Sequence, residues 1–304
     1  MPREPEPFVI EYVDRRTGAL LRETVLGEAF VRWVYERFLG RALRRTLLTR
    51  PAFSRAYGRY QSSRLSRRAI PGVISKLRVD MEDYVVPEGG FSSFNDFFTR
   101  RLRSDARPVD ADPSRLVAPA DGRTFAYTDV REGTLIPAKG RRISLAELLQ
   151  SDHETARYRE GTVLVVRLCP SDYHRFHFPC AGVATRPRTL RGPLESVNPR
   201  ALARGKAILD KNQRDLTFID SDRFGRVAYL EIGAMCVGSI VHTYTPGRVA
   251  AGDEKGYFQF GGSTVILIFE ADAVRVDDDL VQTTRRGLET FVRMGEGLGS
   301  ATRP

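Results

Sequence analysis

The chain has 304 residues, of which 41% are hydrophobic and 28% charged, proportions typical of a soluble globular protein with one large or two average domains. They exclude a wholly disordered chain and a collagen-like or other fibrous one. The net charge of +10 is concentrated between Arg32 and Arg78, where twelve Arg and one Lys stand against a single Glu, a local charge of +12. Such an excess indicates an anionic partner, either nucleic acid or an acidic membrane surface, unless the basic face is only solvated.

The sequence offers no sign of a secreted, membrane-spanning or metal-binding protein. No run approaches the ~18 apolar residues that span a bilayer, and the N-terminal residues alternate charge and proline instead of forming a secretory signal. The three cysteines, Cys169, Cys180 and Cys236, are too few and too irregularly spaced for a disulfide framework or a zinc site. We therefore expect a reducing, cytoplasmic compartment and no metal.

Residues 1–107 are predicted to contain a strand-bearing lead-in followed by basic amphipathic helices. Over 28–48, apolar residues recur at three- and four-residue steps with arginines among them, which predicts an amphipathic helix or helix pair. A second helical stretch is expected over 52–77, with a break near Pro71. A third is expected over 93–102, where phenylalanines form an aromatic ridge.

Residues 108–304 are predicted to form a β-rich body. Short β-branched runs alternate with Gly, Pro and Asp turns, which predicts an antiparallel barrel-like or sandwich-like core and an α+β fold class for the whole chain. The tail after Gly295 is expected to be loose. Strands are expected at 116–117, 124–127, 162–168, 226–232, 235–242 and 264–270, with helical insertions at 145–149 and 199–209.

Two further local motifs stand out, one with an acidic residue and the other with a pair of histidines. Asp121 stands in a Pro-Ala-Asp-Gly turn, and an Asp-Gly turn by itself has no functional meaning. His174 and His177 follow the predicted strand 162–168; they share one face if the segment is helical and point to opposite faces if it is extended. Such a pair is compatible with core packing as well as with catalysis, and no third ligand at metal-binding spacing accompanies it.

The third motif is Gly261-Gly262-Ser263-Thr264, which leads into a strongly β-branched run. The two glycines permit backbone conformations closed to other residues and leave the Gly262 carbonyl uncovered. Taken alone, the motif is a bend before a strand. Its spacing differs from the Gly-x-Ser-x-Gly elbow of hydrolases.

In their order along the chain, these motifs resemble phosphatidylserine decarboxylases, the pyruvoyl-dependent enzymes made as self-cleaving proenzymes. The resemblance runs from about residue 59 to 270. Two positions depart from the family pattern: Gly261, where leucine is common, and Ala251, where a basic residue is common. The matching fragments are 93–102 with Arg107-Pro108-Val109, the Asp-Gly turn, the Tyr-His-Arg-x-His-x-Pro segment, 233–240 and 255–264.

The resemblance implies that Ser263 attacks the carbonyl of Gly262, that the chain splits between the two residues, and that residue 263 becomes a pyruvoyl group. His177 is then the base that activates Ser263, and Asp121 orients His177. The pyruvoyl group forms a Schiff base with the substrate amine and accepts the electron pair left when CO2 departs. His174 positions the substrate carboxylate or returns a proton to carbon.

The resemblance also implies a phospholipid substrate, phosphatidylserine, with phosphatidylethanolamine as product, large and small chains from one precursor, and a homodimer. The basic helices then suit peripheral binding to an anionic membrane surface on the cytoplasmic face of the cell membrane. We expect neutralisation of Arg41, Arg44 and Arg45 to weaken this binding.

Several alternatives stay open from the residues themselves. One is a decarboxylase of another serine-headed lipid, and another is a Ser-His-Asp ester hydrolase that keeps its chain whole. A third is a relative that has kept the fold and lost maturation. The last is a basic membrane- or nucleic-acid-binding protein without catalysis, although no recognisable nucleic-acid module accompanies the basic segment and we expect no nucleic-acid partner.

Overall fold

The structure is a computed structural model that describes residues 10–24, 51–131, 135–136, 141–142, 144–192, 212–233, 240–260 and 263–303. Several predictions fall outside these described residues. They are the amphipathic stretch at 28–48 with Arg41, Arg44 and Arg45, the helical insertion at 199–209, residues 235–239 of the predicted strand 235–242, and Gly261 and Gly262 of the third motif.

Strands make up most of the regular structure, because period-two and fully apolar runs dominate the second half of the chain. The strands are β1 (Glu11–Asp14), β2 (Leu20–Arg22), β3 (Arg115–Val117), β4 (Gly122–Val130), β5 (Leu135–Ile136), β6 (Arg141–Arg142), β7 (Gly161–Leu168), β8 (Arg175–His177), β9 (Gly182–Ala184), β10 (Arg188–Leu190), β11 (Arg214–Ser221), β12 (Gly225–Ile232), β13 (Ile240–His242), β14 (Gly247–Val249), β15 (Glu254–Phe258), β16 (Ser263–Phe269), β17 (Val274–Val276), β18 (Glu289–Val292) and β19 (Gly297–Ala301).

An eleven-stranded sheet takes the order β14-β9-β11-β12-β16-β7-β4-β18-β1-β2, with β10 paired to β11. Its pairs are antiparallel except for β1 with β18, which brings the N-terminal lead-in into the same sheet as the body. The order ends at β14 on one side and at β2 on the other, so the sheet is not closed and the barrel-like alternative is wrong. The smaller sheets are β13-β15-β8, β17-β19-β3 and β5-β6.

The core lies on both faces of the large sheet. β7 is buried at every position, as expected for a central strand covered on both sides. On one face, apolar side chains of the large sheet pack against those of β8, β15, β3 and β17. On the other face, a cluster of apolar side chains includes three leucines of the segment 145–149, which is helical as predicted.

Within the described residues the helices are few and short. The predicted stretch 52–77 is helical, but the break between helices falls at Ser62 and Ser63. Pro71 does not break the chain of helices, because it stands in the first turn of the helix Ile70–Leu77, where proline is tolerated. No helix in the described part of the chain is long and apolar enough to cross a membrane. The helices are α1 (Pro51–Gln61), the 3-10 helix η1 (Arg64–Ala69), α2 (Ile70–Leu77), α3 (Phe94–Phe98), α4 (Leu145–Leu149), α5 (Asp152–Arg157) and α6 (Asp278–Arg285).

The prediction of a loose tail after Gly295 is wrong. β19 pairs with both β17 and β3. A side chain at Gly299 would place its Cβ 2.6 Å from the carbonyl oxygen of Arg275. The glycines therefore indicate close packing of backbones in this strand, and not a lack of order.

Candidate active site

Asp121 is a buried carboxylate directly before β4, 2% exposed. It accepts hydrogen bonds from Arg107, with Nη2 at 2.7 Å and Nε at 3.1 Å, and from the backbone amide of Met294 at 2.8 Å. The same guanidinium donates to Asp83 at 2.6 Å. Burial alone would lower the pKa of Arg107, but the hydrogen bond and charge of Asp121 and the hydrogen bond to Asp83 together outweigh it, so the pKa is raised. Arg107 therefore stays charged and fixes the carboxylate in place.

His177 lies in β8 and is neutral, with a defined tautomer. Its Nδ1 is 2.9 Å from the carbonyl oxygen of Gly252, and its Nε2 is 3.2 Å from the Tyr173 hydroxyl. Because a carbonyl only accepts, Nδ1 carries the hydrogen and Nε2 accepts one from Tyr173. Burial is the main cause that lowers the pKa of His177. The expected hydrogen bond from His177 to Asp121 is not formed, since Gly252 takes that place.

Gly252 can accept this hydrogen bond because of its backbone conformation. Its φ is +84°, in the left-handed region that favours glycine. A Cβ at this position would lie 2.7 Å from the Val109 side chain. The partner of His177 is therefore a backbone group that depends on a residue without a side chain.

His174 lies in the loop between β7 and β8 and is fully buried. Its Nδ1 donates to the Asp172 carbonyl at 2.9 Å, and its ring lies 3.7 Å from the ring of Phe98, centroid to centroid. Its Nε2 is buried without a hydrogen-bond partner. Burial, reinforced by the charge of Arg100, lowers the pKa of His174 to about 3. The ring is therefore neutral, with an unused lone pair at Nε2.

Ser263 is the first residue of β16 and is fully buried. Its hydroxyl has no hydrogen-bond partner, a property that it shares with the neighbouring Thr264 hydroxyl. In the sheet register it stands opposite Leu168, the last residue of β7. The loop with His174 begins at the very next residue, so the topology brings Ser263 and the histidine segment to the same end of the sheet.

The site contains the residue types that nucleophilic attack by a hydroxyl requires, although no hydrogen bond joins Ser263 to either histidine. A serine hydroxyl is a weak nucleophile until a base accepts its proton, and a neutral imidazole is such a base at physiological pH. Both histidines present an Nε2 lone pair, of which one accepts a hydrogen bond from Tyr173 and the other is unused.

Sequence reasoning missed four contacts of this site. Arg107 and Tyr173 lie within the quoted motifs, so the signal was present, but no role was assigned to either side chain. The ring contact of Phe98 with His174 and the carbonyl of Gly252 had no local signal, because both join segments far apart in the sequence.

The described residues contain no group of three or more His, Cys, Asp or Glu side chains that could hold a metal ion. Cys169 and Cys180 are buried free thiols. Burial raises the pKa of each, so neither is a reactive thiolate at neutral pH.

Comparison with known proteins identifies the family. A family model described as phosphatidylserine decarboxylase matches residues 94–300. A phosphatidylserine decarboxylase proenzyme of Clostridium botulinum is 41% identical over 293 residues, covering 96% of this chain and 99% of the relative. Proenzymes of the same name from Desulfitobacterium hafniense and Clostridium beijerinckii are 41% and 39% identical, each over 96% of this chain and at least 98% of the relative. The chain therefore belongs to the phosphatidylserine decarboxylase family.

Proposed function

We propose that this protein converts phosphatidylserine to phosphatidylethanolamine and CO2 by means of a pyruvoyl group made from its own Ser263. The observation that carries the proposal is the Ser263 hydroxyl, which is fully buried without a partner at the start of β16. The hydroxyl is therefore not engaged in a structural hydrogen bond, and it directly follows the Gly-Gly pair of the third motif.

The first reaction is self-cleavage between Gly262 and Ser263. The Ser263 Oγ adds to the Gly262 carbonyl, and the C–N bond breaks, so that an ester replaces the amide. Removal of the Cα proton of residue 263 then breaks its Cβ–Oγ bond, which leaves Gly262 with a free carboxylate and residue 263 as dehydroalanine. Hydrolysis releases ammonia and leaves a ketone in place of the amine.

His177 is the base in this proposal, and its tautomer supports the role. The hydrogen on Nδ1 is donated to Gly252, so Nε2 is the atom that accepts a proton. The Ser263 proton reaches Nε2 either directly, after the Tyr173 hydroxyl has turned away, or through that hydroxyl. Asp121, fixed by Arg107, supplies a nearby negative charge that favours the imidazolium form once the proton has been transferred.

The mature ketone supplies an electron sink for decarboxylation of an amine-bearing substrate. The substrate amine arrives as an ammonium ion and must lose a proton before it can react. We assign to His174 the return of a proton to carbon after CO2 has left, which is one of the two roles expected from the sequence, because its Nε2 lone pair has no hydrogen-bond partner. Since burial lowers the pKa of His174, the ring holds that proton only transiently and is too weak a base to keep the proton of the substrate ammonium ion.

We also propose that the protein docks on an anionic membrane, at the cytoplasmic face, through the outer surface of α1, η1 and α2. The chain from Pro51 to Val79 contains no acidic residue. Tyr60 and Leu65 are 53% and 63% exposed on this surface. Cations around exposed aromatic and aliphatic side chains are typical of an interfacial segment. The exposed cations are Arg59, Arg64, Arg67, Arg68, Lys76 and Arg78.

Intact-protein mass measurement tests the proposed function. Purified material is expected to contain one chain covering residues 1–262 and another covering 263–304, whose first residue has lost its amine. Ser263→Ala should stay whole, and His177→Ala and Asp121→Ala should be cleaved far more slowly. Borohydride added with phosphatidylserine should abolish activity. Full decarboxylase activity from an unbroken chain would refute the proposal.

A further inference from the structure

The segment 93–102, whose function the sequence does not indicate, contains a buried polar residue among phenylalanines. α3 begins after Ser93, whose hydroxyl caps the helix by accepting from the Asp96 amide at 3.2 Å. Phe94, Phe97 and Phe98 are all buried. Asn95 is 6% exposed in the same ridge. A buried amide destabilises the fold unless it is hydrogen-bonded, so its partners indicate its purpose.

Asn95 joins the N-terminal helices to the chain that approaches the cleavage site. Its Oδ1 accepts a hydrogen bond from the Phe260 backbone amide at 2.8 Å. Its Nδ2 donates to the Ser62 hydroxyl at 2.9 Å and to the Gly58 carbonyl at 3.4 Å. Because a backbone N–H only donates and a carbonyl only accepts, the orientation of the Asn95 amide is defined.

The side chain of Phe260 is held at the same place. Its ring lies 4.8 Å from Phe94 and 5.2 Å from Phe98, both edge to face, and 6.0 Å from Tyr57. Phe98 in turn lies against His174. One short helix therefore contacts both a histidine of the site and the residue two positions before Gly262.

We propose that Asn95 is a positioning residue for self-cleavage, which fixes the carbonyl side of the Gly262–Ser263 bond. This inference rests on the proposed function. Two residues of chain span at most about 7 Å, so the anchor at Phe260 limits how far the attacked carbonyl can move from it, while β16 fixes Ser263 on the other side. Displacement of reacting atoms by about 1 Å can slow a reaction by a factor on the order of 100.

The proposal distinguishes maturation from turnover. After cleavage, Gly262 is the last residue of the larger chain, and Phe260 lies two positions before it. The ketone lies on the smaller chain. Asn95 then no longer holds an atom that reacts. Loss of Asn95 should therefore slow cleavage while leaving the activity of each chain that has been cleaved nearly unchanged.

The test follows cleavage of newly made chains in a cell-free translation system, by separating one-chain and two-chain forms over time. Asn95→Ala removes the acceptor for the Phe260 amide, and we expect cleavage to slow by about 10- to 100-fold. Ser62→Ala is the matched control, because it removes a partner of Asn95 without touching Phe260, and it should cleave at nearly the wild-type rate. Asn95→Asp keeps an acceptor oxygen and should cleave faster than Asn95→Ala.

The outcomes separate this inference from the proposed function. Cleavage of Asn95→Ala at the wild-type rate, or of Asn95→Asp no faster than Asn95→Ala, would overturn the positioning role. So would CO2 release per cleaved chain that falls as far as the cleavage rate does. If the wild-type chain itself is not cleaved, the proposed function fails.

Discussion

The two histidines of the site stand three residues apart and have different surroundings. His177 lies between the Tyr173 hydroxyl and the Gly252 carbonyl. His174 lies against Phe98, with one ring nitrogen bonded to a backbone carbonyl and the other unused. In both rings a backbone carbonyl sets the tautomer, so a side-chain acid is not needed for that purpose. The sequence resemblance implied that Asp121 orients His177. In the structure Asp121 accepts hydrogen bonds from Arg107 and makes none with His177.

Burial of His174 should make folding stability depend on pH. The pKa is about 3 in the folded chain and about 6.5 in an unfolded one. The unfolded chain therefore binds more protons between these values. The stabilising contribution is complete above about pH 6.5 and is lost as the pH falls toward 3, by up to about 1.4 kcal/mol per pH unit.

Urea unfolding of Ser263→Ala, which keeps the chain whole, measures this dependence at several pH values between 7 and 5. The same series with His174→Gln added should show a shallower loss of stability on acidification. The carboxylates and His177 are present in both proteins, so the difference between the two pH slopes isolates His174. Identical pH slopes in the two series would contradict a buried neutral imidazole at this position.

At the scale of elements, a buried ion pair links the strand pair that carries Ser263 to the one that carries His177. Lys255, at an irregularity of β15, contacts the carboxylate of Glu231 on β12, and both side chains are fully buried. β12 pairs with β16, which begins at Ser263. β15 pairs with β8, and in this pair Glu254 of β15 stands opposite His177 of β8.

The surroundings of Lys255 explain how a cation is accommodated in the core. Four rings surround Nζ, the nearest being Tyr229 at 4.6 Å and Tyr244 at 5.2 Å. Cation–π contacts of this kind stabilise a desolvated ammonium group. Burial nevertheless lowers the pKa of Lys255 and raises that of Glu231, so each depends on the other to remain charged.

Lys255→Met should therefore destabilise the chain by about 3–5 kcal/mol, because it leaves Glu231 buried without its partner. The double variant Lys255→Met with Glu231→Leu should recover most of that loss, since buried ion pairs can often be replaced by apolar side chains. Urea unfolding in the Ser263→Ala background measures the double variant and the two single ones, Lys255→Met and Glu231→Leu. A double variant as unstable as the sum of the two single ones would show that the charges do not depend on each other.

The sequence predicted those elements whose signal is local. The β-branched runs that became β7, β12 and β16 and the glycine-serine motif before β16 were all identified. The strand β19 was missed, because its glycines serve close backbone packing, which is set by its neighbours. Two hydrogen bonds were also missed, that of Arg107 with Asp121 and that of the Phe260 amide with Asn95. Local sequence patterns do not specify which distant groups meet.

At the scale of the whole molecule, the uneven charge and the position of the helices support one arrangement. The outer surface of α1, η1 and α2 is basic, with Tyr60 and Leu65 exposed. On the inner side, Tyr57 of α1 contacts Phe260, and Ser62, which follows α1, accepts a hydrogen bond from Asn95. The helices of the proposed docking surface therefore also contact the segment before the proposed cleavage site.

Neutralising the cations of η1 tests this docking surface. Near an anionic bilayer each Lys or Arg contributes about 1 kcal/mol, so replacing Arg64, Arg67 and Arg68 by Gln should weaken binding to phosphatidylserine-containing vesicles on the order of 100-fold. Vesicle sedimentation at low salt measures the change, with Ser263→Ala in all proteins to prevent turnover. Binding of the parent should fall at high salt and on neutral phosphatidylcholine vesicles, because the attraction is electrostatic.

A variant with the same change in net charge is the decisive control. Arg275, Arg285 and Arg286 are exposed on β17 and at the end of α6, and their replacement by Gln also removes three positive charges. If docking depends on the η1 surface, this control should bind nearly as well as the parent. Equal weakening by both triple variants would mean that only total charge matters, and no weakening by the η1 variant would place the contact on another part of the chain.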